Sequence, residues 1–337
     1  MKFVGHVETP APDDNSLQTM KAVILAGGMG TRLRPLTNLM PKPLIPLVDK
    51  PLILHIIDSL PESIDTVFLA VNYMKDVLED YFKRTPGKEV ILVEEREPLG
   101  TGGALKNVGR YLDDTFVACN GDIISSIDIA SMIEEHHLKG GIGTIALWRV
   151  SDPSAFGVVS LSEDKRIELF QEKPKRGEAC SNLINAGIYV FEPEILDFIG
   201  DGFVSLEREV FPKILNRGLY GYSFDGYWVD CGVRENLLEA QRILLSQRGE
   251  IHLNSKVDVK AKIIPPNFMT NAEIGPATVG PGVCICDRSV VHNGAQISNS
   301  LLMENSVVGK GAVVRNSIIG PNARVNDGET VENSILV

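Results

Sequence analysis

Residues 25–46 read LAGGMGTRLRPLTNLMPKPLIP, and this stretch decides the fold of the region around it. It begins within an apolar run at 21–26 that is typical of a buried parallel strand. Gly27, Gly28 and Gly30 then predict a turn with positive φ, in which the backbone approaches a ligand closely because glycine has no Cβ. Successive free N–H groups in such a turn form an anion-binding nest. The stretch therefore predicts a strand followed by a phosphate-binding turn.

Two cations distinguish this turn from better-known glycine signatures. A dinucleotide fingerprint needs a third glycine where Leu33 stands, and a P-loop needs lysine and serine or threonine after Gly30, where Thr31 and Arg32 stand. A simple turn before a helix would explain the glycines but not the cations. Arg32 can span two phosphate oxygens, and Lys42 is held extended between two prolines. The pattern favours a site that grips a nucleoside triphosphate.

Composition and charge narrow the kinds of partner. The 337 residues carry a formal net charge of −11, with 44% hydrophobic and 23% charged residues, as in ordinary globular proteins. The negative balance argues against nonspecific nucleic-acid binding, because most of the surface would repel a phosphate polymer. The sequence contains no apolar run long enough for a membrane span. Its five cysteines lack paired CxxC spacing, which argues against a disulfide framework or a zinc site and predicts a cytoplasmic protein.

The chain is longer than one typical core and predicts two domains after a weakly ordered extension at 1–19. Over residues 20–247, short apolar runs alternate with segments of helical period, which predicts an α/β domain with a Rossmann-like mixed sheet and helices on both faces. Predicted strands cover residues 21–26, 66–71, 90–94, 115–119 and 144–148, and predicted helices cover 52–60, 75–83, 103–111 and 129–138. Ligands of such sheets bind beyond the carboxyl ends of the strands.

Residues 248–337 have a different texture, with a repeat of 17 residues. The repeat is visible in Asn299-Ser300-Leu301, Asn316-Ser317-Ile318 and Asn333-Ser334-Ile335, in Gly294, Gly311 and Gly328, and in Val291, Val308 and Val325. Three aliphatic positions recur in each repeat, so the chain is expected to turn three corners per coil. This pattern predicts a triangular parallel β-helix of about four coils.

Two functional interpretations of the β-helix are weaker than a structural one. Hexapeptide domains can be acyltransferases, which would give His292 a role, but about four coils is short for an acyl-donor site. Cys284 and Cys286 could suggest a soft metal, although alternating small residues are common on a solenoid.

Two aspartates lie where a metal site is expected. Asp122 follows the strand predicted to end at Cys119, and Asp230 lies in the hydrophobic segment 227–232. Mg²⁺ is normally held by one or two carboxylates together with phosphates and waters, so this pair suits it. Either aspartate alone is equally well explained as a helix cap or turn residue.

Three residues between these aspartates suit a sugar phosphate. Glu172 and Asn185 can hydrogen-bond to sugar hydroxyls, and Lys173 can bind the anomeric phosphate. Taken singly, each is an ordinary loop or strand residue, so their order relative to the other motifs carries the argument.

Taken in order, the motifs resemble those of the sugar-1-phosphate nucleotidyltransferase family. The resemblance rests on AGGMGTRLRPLT at 26–37, PKPL at 41–44, GD at 121–122, EKP at 172–174, NAGIYV at 185–190 and WVDCG at 228–232. It implies that an oxygen of a sugar-1-phosphate attacks the α-phosphorus of a nucleoside triphosphate, with Mg²⁺ as cofactor and pyrophosphate as the leaving group. The solenoid is similar to the left-handed β-helix appended to many members, which implies a homo-oligomer to which the β-helix contributes.

The resemblance also implies a role for each matching residue. Catalytic roles are implied for Arg32, Lys42, Asp122 and Lys173, and metal ligation for Asp122 and Asp230. Nucleotide binding is implied for Leu25, Ala26, Gly27, Gly28, Gly30, Thr31, Arg32, Glu95, Gly100, Thr101, Gly102 and Asn120. Sugar-phosphate binding is implied for Gly157, Glu172, Lys173 and Asn185.

Segment 94–103 matches the base-recognition segment of the family. Glu94 or Glu95 can accept hydrogen bonds from the N1–H and N2–H₂ edge of guanine. EPLGTGGALKN and NAGIYVFEPEIL look most like mannose-1-phosphate guanylyltransferases, so the expected product is GDP-mannose. Cys231 departs from the more usual aliphatic residue or threonine. The alternatives are a uridylyl- or thymidylyltransferase acting on glucose-1-phosphate, and a noncatalytic regulatory subunit that binds a nucleotide sugar.

Overall fold

The computed structural model describes residues 20–337, so the extension expected at 1–19 lies outside the described residues. The strands of the first domain are β1 (Met20–Leu25), β2 (Pro46–Leu47), β3 (Lys50–Pro51), β4 (Ile64–Val71), β5 (Glu89–Glu94), β6 (Phe116–Asn120), β7 (Ile123–Ser125), β8 (Gly143–Arg149), β9 (Gly157–Leu161), β10 (Ile167–Glu172), β11 (Leu183–Phe191), β12 (Leu219–Ser223) and β13 (Trp228–Asp230).

The helices of this domain lie mostly between strands. The α-helices are α1 (Leu52–Ser59), α2 (Lys75–Phe82), α3 (Gly100–Val108), α4 (Ile129–Lys139), α5 (Phe211–Ile214) and α6 (Arg234–Arg248). Short 3₁₀ helices cover Thr31–Leu33, Leu36–Asn38, Lys42–Leu44, Gly109–Tyr111, Pro193–Phe198 and Leu215–Arg217, and one π-helical turn covers Leu206–Val210.

The central sheet is mixed. Its strand order is β10-β9-β11-β6-β1-β4-β5, with β8 attached to β11 and β12 attached to β8. β1 pairs in parallel with both β4 and β6, and Leu25 at its carboxyl end lies opposite Ala70 and Asn120. β11 runs antiparallel to β6 and β8. The predicted Rossmann-like mixed sheet is confirmed, and the carboxyl ends of β1, β4 and β6 lie at one edge.

Helices cover both faces of this sheet, as predicted. Successive side chains of a strand point to opposite faces, and in β1 this places Ala22 and Ile24 in one apolar cluster and Val23 in another. The first cluster contains the buried side chains of α1, α4 and α6, whereas the second contains those of α3 and α5. Within residues 20–337, no helix combines the length and apolar content needed to cross a membrane.

The predicted elements are present with small shifts of their ends. The strands predicted at 66–71, 90–94, 115–119 and 144–148 correspond to β4, β5, β6 and β8. The helix predicted at 103–111 begins earlier, at Gly100, and continues after Val108 as a 3₁₀ turn. Glycine is a poor helix former, but the first-turn N–H groups of Gly102 and Gly103 donate to the carbonyl of Val204, which satisfies them.

Residues 250–337 form the predicted left-handed parallel β-helix with three sheets. The first sheet contains Glu250–Leu253, Asn267–Thr270, Val283–Ile285, Leu301–Leu302, Ile318–Ile319 and Ile335–Leu336. The second contains Lys256–Val257, Glu273–Ile274, Val290–Val291, Val307–Val308 and Arg324–Val325. The third contains Lys262–Ile263, Thr278–Val279, Gln296–Ser298, Val313–Arg315 and Thr330–Glu332.

The interior of the β-helix contains the repeated aliphatic positions. Val291, Val308 and Val325 stack in one buried cluster with the aliphatics of the other two corners. The expectation of about four coils was too low, since the first sheet of residues 250–337 has six strands. The first coils were not recognised from the 17-residue repeat because residues paired between their neighbouring strands, such as Asn267 with Val283 and Thr278 with Gln296, are not 17 residues apart.

Helix α6 joins the β-helix to the first domain. The apolar cluster on its face of the sheet continues into Phe268, Leu301 and Ile318 of the β-helix. Gln241 is buried in the middle of α6, and its side-chain amide donates to the carbonyls of Gly282 at 3.0 Å and Ser300 at 3.1 Å. The two parts therefore share a packed interface as well as a chain connection.

Candidate active site

A cavity of about 560 Å³ opens at the carboxyl ends of β1 and β6. It is lined by residues from segments far apart in the chain, to which the sequence assigned roles in nucleotide binding, metal binding or catalysis. These are Leu25, Ala26, Gly27, Gly28, Gly30, Thr31, Arg32, Lys42, Glu95, Gly100, Thr101, Asn120 and Asp122. Gly102 does not line the cavity, because it lies buried in α3 and its N–H donates to Val204.

The glycine turn differs from expectation in one respect. Of its three glycines, only Gly30 has positive φ, at 58°, so the prediction of positive φ at Gly27 and Gly28 was wrong. Gly27 leaves room for a neighbouring side chain, since a Cβ there would stand 3.0 Å from Cδ and 3.2 Å from Oε2 of Glu95 and would displace that carboxylate. The turn is therefore shaped around a carboxylate as well as around free N–H groups.

Glu95 is the carboxylate inside the cavity. It is 5% exposed, and its Oε2 accepts a hydrogen bond from the N–H of Leu99 at 3.2 Å. Burial raises the pKa of Glu95, and the hydrogen bond from Leu99 partly opposes this rise. Glu94 is exposed and pairs with Lys75 at 2.9 Å. Of the two carboxylates suggested by sequence, Glu95 lines the cavity and Glu94 is held by a surface lysine.

A cluster of two basic and two acidic side chains lies at the part of the cavity away from Glu95. Lys42 Nζ pairs with Asp122 Oδ2 at 2.5 Å, and the two side chains are 10% and 30% exposed. Asp230 is not one of the lining residues, but its Oδ1 accepts from the N–H of Gly232, which is, at 2.8 Å. A Cβ on Gly232 would collide with the guanidinium of Arg32 and stand 2.8 Å from Asp230 Oδ1, so both groups converge over this glycine.

The two aspartates come together because β13 pairs antiparallel with β7. Asp230 lies opposite Ile123, the residue after Gly121 and Asp122 in the chain, and the N–H of Cys231 donates to the carbonyl of Asp122 at 2.8 Å. Burial raises the pKa of Asp230, and the nearby Asp122 raises it further, while Lys42 and Arg32 oppose the rise. Two partly buried like charges that repel each other are the usual setting for a bound cation.

The donor set fits Mg²⁺ rather than a metal enclosed by protein ligands. Among residues 20–337, no group of three or more His, Cys, Asp or Glu side chains could hold a metal. Two carboxylates beside a cavity of the size of a small-molecule site suit an ion that takes its other ligands from phosphates and water. Burial raises the pKa of the neighbouring Cys231 thiol, and Mg²⁺ prefers oxygen ligands to sulfur.

The residues assigned to the sugar phosphate lie outside this cavity. Glu172 and Gly157 are paired across β9 and β10, and Lys173 Nζ lies 3.5 Å from Glu172 Oε1. Asn185 donates through Nδ2 to the hydroxyl of Tyr189 at 2.9 Å, and its Oδ1 accepts from a backbone N–H. Asn185 therefore already uses both of its polar ends within β11.

Glu207 connects these residues to the cavity, and sequence reasoning missed it. Its Oε2 accepts from Thr101 Oγ1 at 2.8 Å, and Thr101 lines the cavity. Burial raises the pKa of Glu172, Lys173 opposes this, and Glu207 adds to the rise. The sequence pattern gave no indication of Glu207, because this residue and its partner Thr101 are 106 residues apart in sequence and meet only in the folded protein.

Several other lining residues were also missed. Pro98 and Leu99 belong to the segment 94–103 that the sequence assigned to the base, and Ala104 directly follows it, whereas Phe203 comes from the connection between β11 and α5. Met29, Pro43, Gly121 and Gly232 lie within the quoted motifs but had no role assigned to them. Their position in or next to a motif could have identified most of these residues from the sequence. Phe203 is not near any of the motifs.

A family model described as Nucleotidyl transferase matches residues 21–247. The chain belongs to the nucleotidyl transferase family. A second model, described as GMPPB C-terminal domain, matches residues 263–337. These matches confirm the family expected from the motifs, and they cover both the α/β sheet and most of the β-helix.

Relatives of this nucleotidyl transferase include two proteins similar over most of its length. Mannose-1-phosphate guanylyltransferase 1 of Arabidopsis thaliana is 37% identical over 297 residues, which cover 84% of this chain and 81% of the relative. Mannose-1-phosphate guanylyltransferase of Mycobacterium tuberculosis is 37% identical over 297 residues, which cover 82% of each.

Two solved structures share the fold of the first domain. The crystal structure of HddC from Yersinia pseudotuberculosis complexed with GMP-PN has a TM-score of 0.56 and 28% identity, covering 67% of this chain and 99% of that one. A putative glucose-1-phosphate thymidylyltransferase from Bacillus anthracis, solved in complex with a sucrose, has a TM-score of 0.59 and 28% identity, covering 66% of this chain and 94% of that one.

Proposed function

We propose that the chain transfers a guanylyl group from GTP to mannose-1-phosphate, forming GDP-mannose and releasing pyrophosphate. The observation that carries this proposal is one cavity lined both by a buried carboxylate, Glu95, and by the charged residues Arg32, Lys42 and Asp122. Asp230 lies directly behind the lining residue Gly232, from whose N–H it accepts a hydrogen bond. The similarity to mannose-1-phosphate guanylyltransferases supports the choice of base and sugar.

The proposed reaction needs little covalent chemistry from the protein. An oxygen of the sugar-1-phosphate forms a bond to the α-phosphorus of GTP, and the bond between that phosphorus and the bridging oxygen to the β-phosphate breaks. The electron pair leaves with pyrophosphate. The attacking phosphate oxygen is already anionic, so no general base is required. Catalysis then rests on in-line positioning and on stabilisation of charge.

Each charged group has a place in this scheme. Arg32 and Lys42 neutralise the β- and γ-phosphates and so stabilise the leaving pyrophosphate. Asp122 and Asp230 would hold Mg²⁺, which would supply positive charge against the phosphate oxygens. Lys42 exchanges its contact with Asp122 for a phosphate when the nucleotide enters. Lys173 and Glu172 hold the phosphate and hydroxyls of the sugar.

Base selection in this scheme depends on Glu95. An ionised carboxylate accepts two hydrogen bonds from guanine N1–H and N2–H₂, whereas uracil and thymine present only one N–H on that edge. A site built for two donors leaves a carboxylate oxygen without a partner when the wrong base enters, which weakens binding. This argument favours guanine over the uridylyl and thymidylyl alternatives.

The test measures pyrophosphate release with Mg²⁺ and a panel of nucleoside triphosphates and sugar-1-phosphates. We expect the highest kcat/KM for GTP with mannose-1-phosphate, and loss of Mg²⁺-dependent turnover in Asp122→Asn. Higher activity with UTP or dTTP and glucose-1-phosphate would replace the proposed substrates. Absence of turnover with every pair would favour the noncatalytic regulatory subunit. Nearly full activity of Asp122→Asn would remove this residue from the metal site.

A further inference from the structure

Phe203 is an exposed aromatic residue at the edge of the site cavity. It is 69% exposed, whereas the adjacent Val204 is buried at 5%. A phenyl ring gains more free energy from burial than an isopropyl group, so the backbone here directs the smaller apolar side chain inward and leaves the larger one in solvent. Phe203 lines the cavity together with Glu95, Pro98 and Leu99.

The backbone beside Phe203 is firmly held although its ring is free. Val204 donates to the carbonyl of Leu99 at 2.9 Å and accepts from the N–H of Gly102 at 2.8 Å. A Cβ on Gly100 would stand 2.6 Å from the carbonyl oxygen of Val204 and 3.3 Å from Cε2 of Phe203. Gly100 therefore has no side chain because residues 203 and 204 occupy that space.

These contacts place Phe203 at the Glu95 part of the cavity. Leu99 donates to the carboxylate of Glu95 through its N–H and accepts from Val204 through its carbonyl, so one residue connects both groups. The cations that suit phosphates, Arg32 and Lys42, instead lie with the aspartates. A nucleotide bound with its phosphates at those cations brings its base to the apolar part beside Phe203.

We propose that Phe203 stacks on the face of the nucleobase while Glu95 accepts hydrogen bonds from its edge, an inference that rests on the proposed function of this cavity. Every base has a π face, so stacking on an aromatic ring adds affinity with little regard to base identity. Phe203 therefore contributes affinity for any nucleotide, and Glu95 contributes discrimination between bases. Ordering the ring over a base also removes apolar surface from water.

The experiment measures binding by isothermal titration calorimetry to the full chain with Mg²⁺. The probes are GTP and inorganic tripolyphosphate, which has the phosphates but no base. Phe203→Ala should raise the Kd for GTP about tenfold and leave the Kd for tripolyphosphate unchanged. Phe203→Trp should retain the affinity for GTP. Leu138→Ala removes another exposed apolar side chain, 86% exposed at the end of α4, and should change neither Kd.

The outcomes separate this inference from the proposed function. Unchanged GTP binding in Phe203→Ala would overturn the stacking role, and so would an equal loss for GTP and tripolyphosphate, which would indicate a general distortion of the site. Tripolyphosphate binding at the wild-type affinity shows that the variant site is folded. If the wild type itself binds no GTP while retaining tripolyphosphate, the proposed guanylyl transfer fails, and the stacking inference fails with it.

Discussion

Replacing Gly27 with alanine should impair recognition of the base far more than the size of one methyl group suggests. The added Cβ would stand 3.0 Å from Cδ of Glu95 and nearer still to Oε1, whereas ordinary contacts begin at 3.4 Å. Glu95 accepts a hydrogen bond from the N–H of Leu99 and lines the cavity, so a carboxylate pushed by the new methyl group would leave that hydrogen bond and turn into the space proposed for the base. We expect the carboxylate to be displaced by about 1 Å, and a misplacement of that size costs about 10²-fold in kcat/KM.

The assay is steady-state pyrophosphate release with GTP and with UTP, each with saturating mannose-1-phosphate. Gly27→Ala should lower kcat/KM for GTP and reduce the ratio of GTP to UTP activity, because the displaced group is the one proposed to read guanine. Gly28→Ala is the matched control, since it adds the same methyl group to the same turn and no described atom lies within 4 Å of that methyl. It should preserve the GTP to UTP ratio.

A double substitution isolates the proposed cause. In Gly27→Ala/Glu95→Ala the added methyl group has space, so the double variant should be no worse than Glu95→Ala alone. Additive losses would show that Gly27→Ala acts on the backbone of the turn and not through Glu95. An unchanged GTP to UTP ratio in Gly27→Ala would refute the assignment of Glu95 as the base-reading residue.

Three further predictions concern the metal site and the domain interface. Lys42→Met should lower kcat about 10²- to 10³-fold, because a preset cation stabilises the leaving charge, and a change in KM alone would contradict this. Asp230→Asn should raise the melting temperature at pH 7 without Mg²⁺, because the pKa of Asp230 is raised in the fold and its ionised form therefore destabilises the folded state. The gain in melting temperature should vanish as the pH falls below 3.8, where the carboxyl group is protonated in both the folded and the unfolded state. A gain that persists below this pH would contradict the prediction. Gln241→Ala should lower the free energy of unfolding by about 1–3 kcal/mol in urea titrations, because the buried carbonyl of Gly282 loses this donor, whereas that of Ser300 keeps the N–H of Cys284. The exposed control Arg242→Ala should change it by less than about 0.5 kcal/mol.

Local patterns predicted much of the fold and part of the site. The 17-residue repeat predicted the three-sided β-helix because each coil must place an aliphatic residue at the same corner. The apolar run before Gly27 predicted β1, and its position in the centre of the sheet follows from an interior strand being apolar on both faces. Arg32 and Lys42 were found because cations beside a glycine turn add their charge to its free N–H groups, and together these favour a bound phosphate.

Other features of the site followed from packing and could not be deduced from spacing. Sequence offered Glu94 or Glu95 for the edge of the base and assigned Glu95 to nucleotide binding, but it gave no physical reason to separate them. In the fold, Glu94 ends β5 and pairs with Lys75, whereas Glu95 follows the strand and lines the cavity. Phe203 lines the cavity only because the loop after β11 docks against the start of α3. Glycines at 27 and 100 were assigned to ligand contact, yet in the fold each gives room to another residue of this chain.

The family, the α/β and β-helix architectures and the kinds of side chain in the site could all be read from the amino-acid sequence. Motifs and repeats are local patterns, and each reflects a physical requirement of the residues next to it. Only the tertiary structure decided which groups meet. Asp122 and Asp230 are far apart in the chain and come together through the pairing of β7 with β13. Burial in this arrangement, together with the nearby Asp122, raises the pKa of Asp230. Such contacts depend on strand register and on how loops pack, and these are properties of the whole fold.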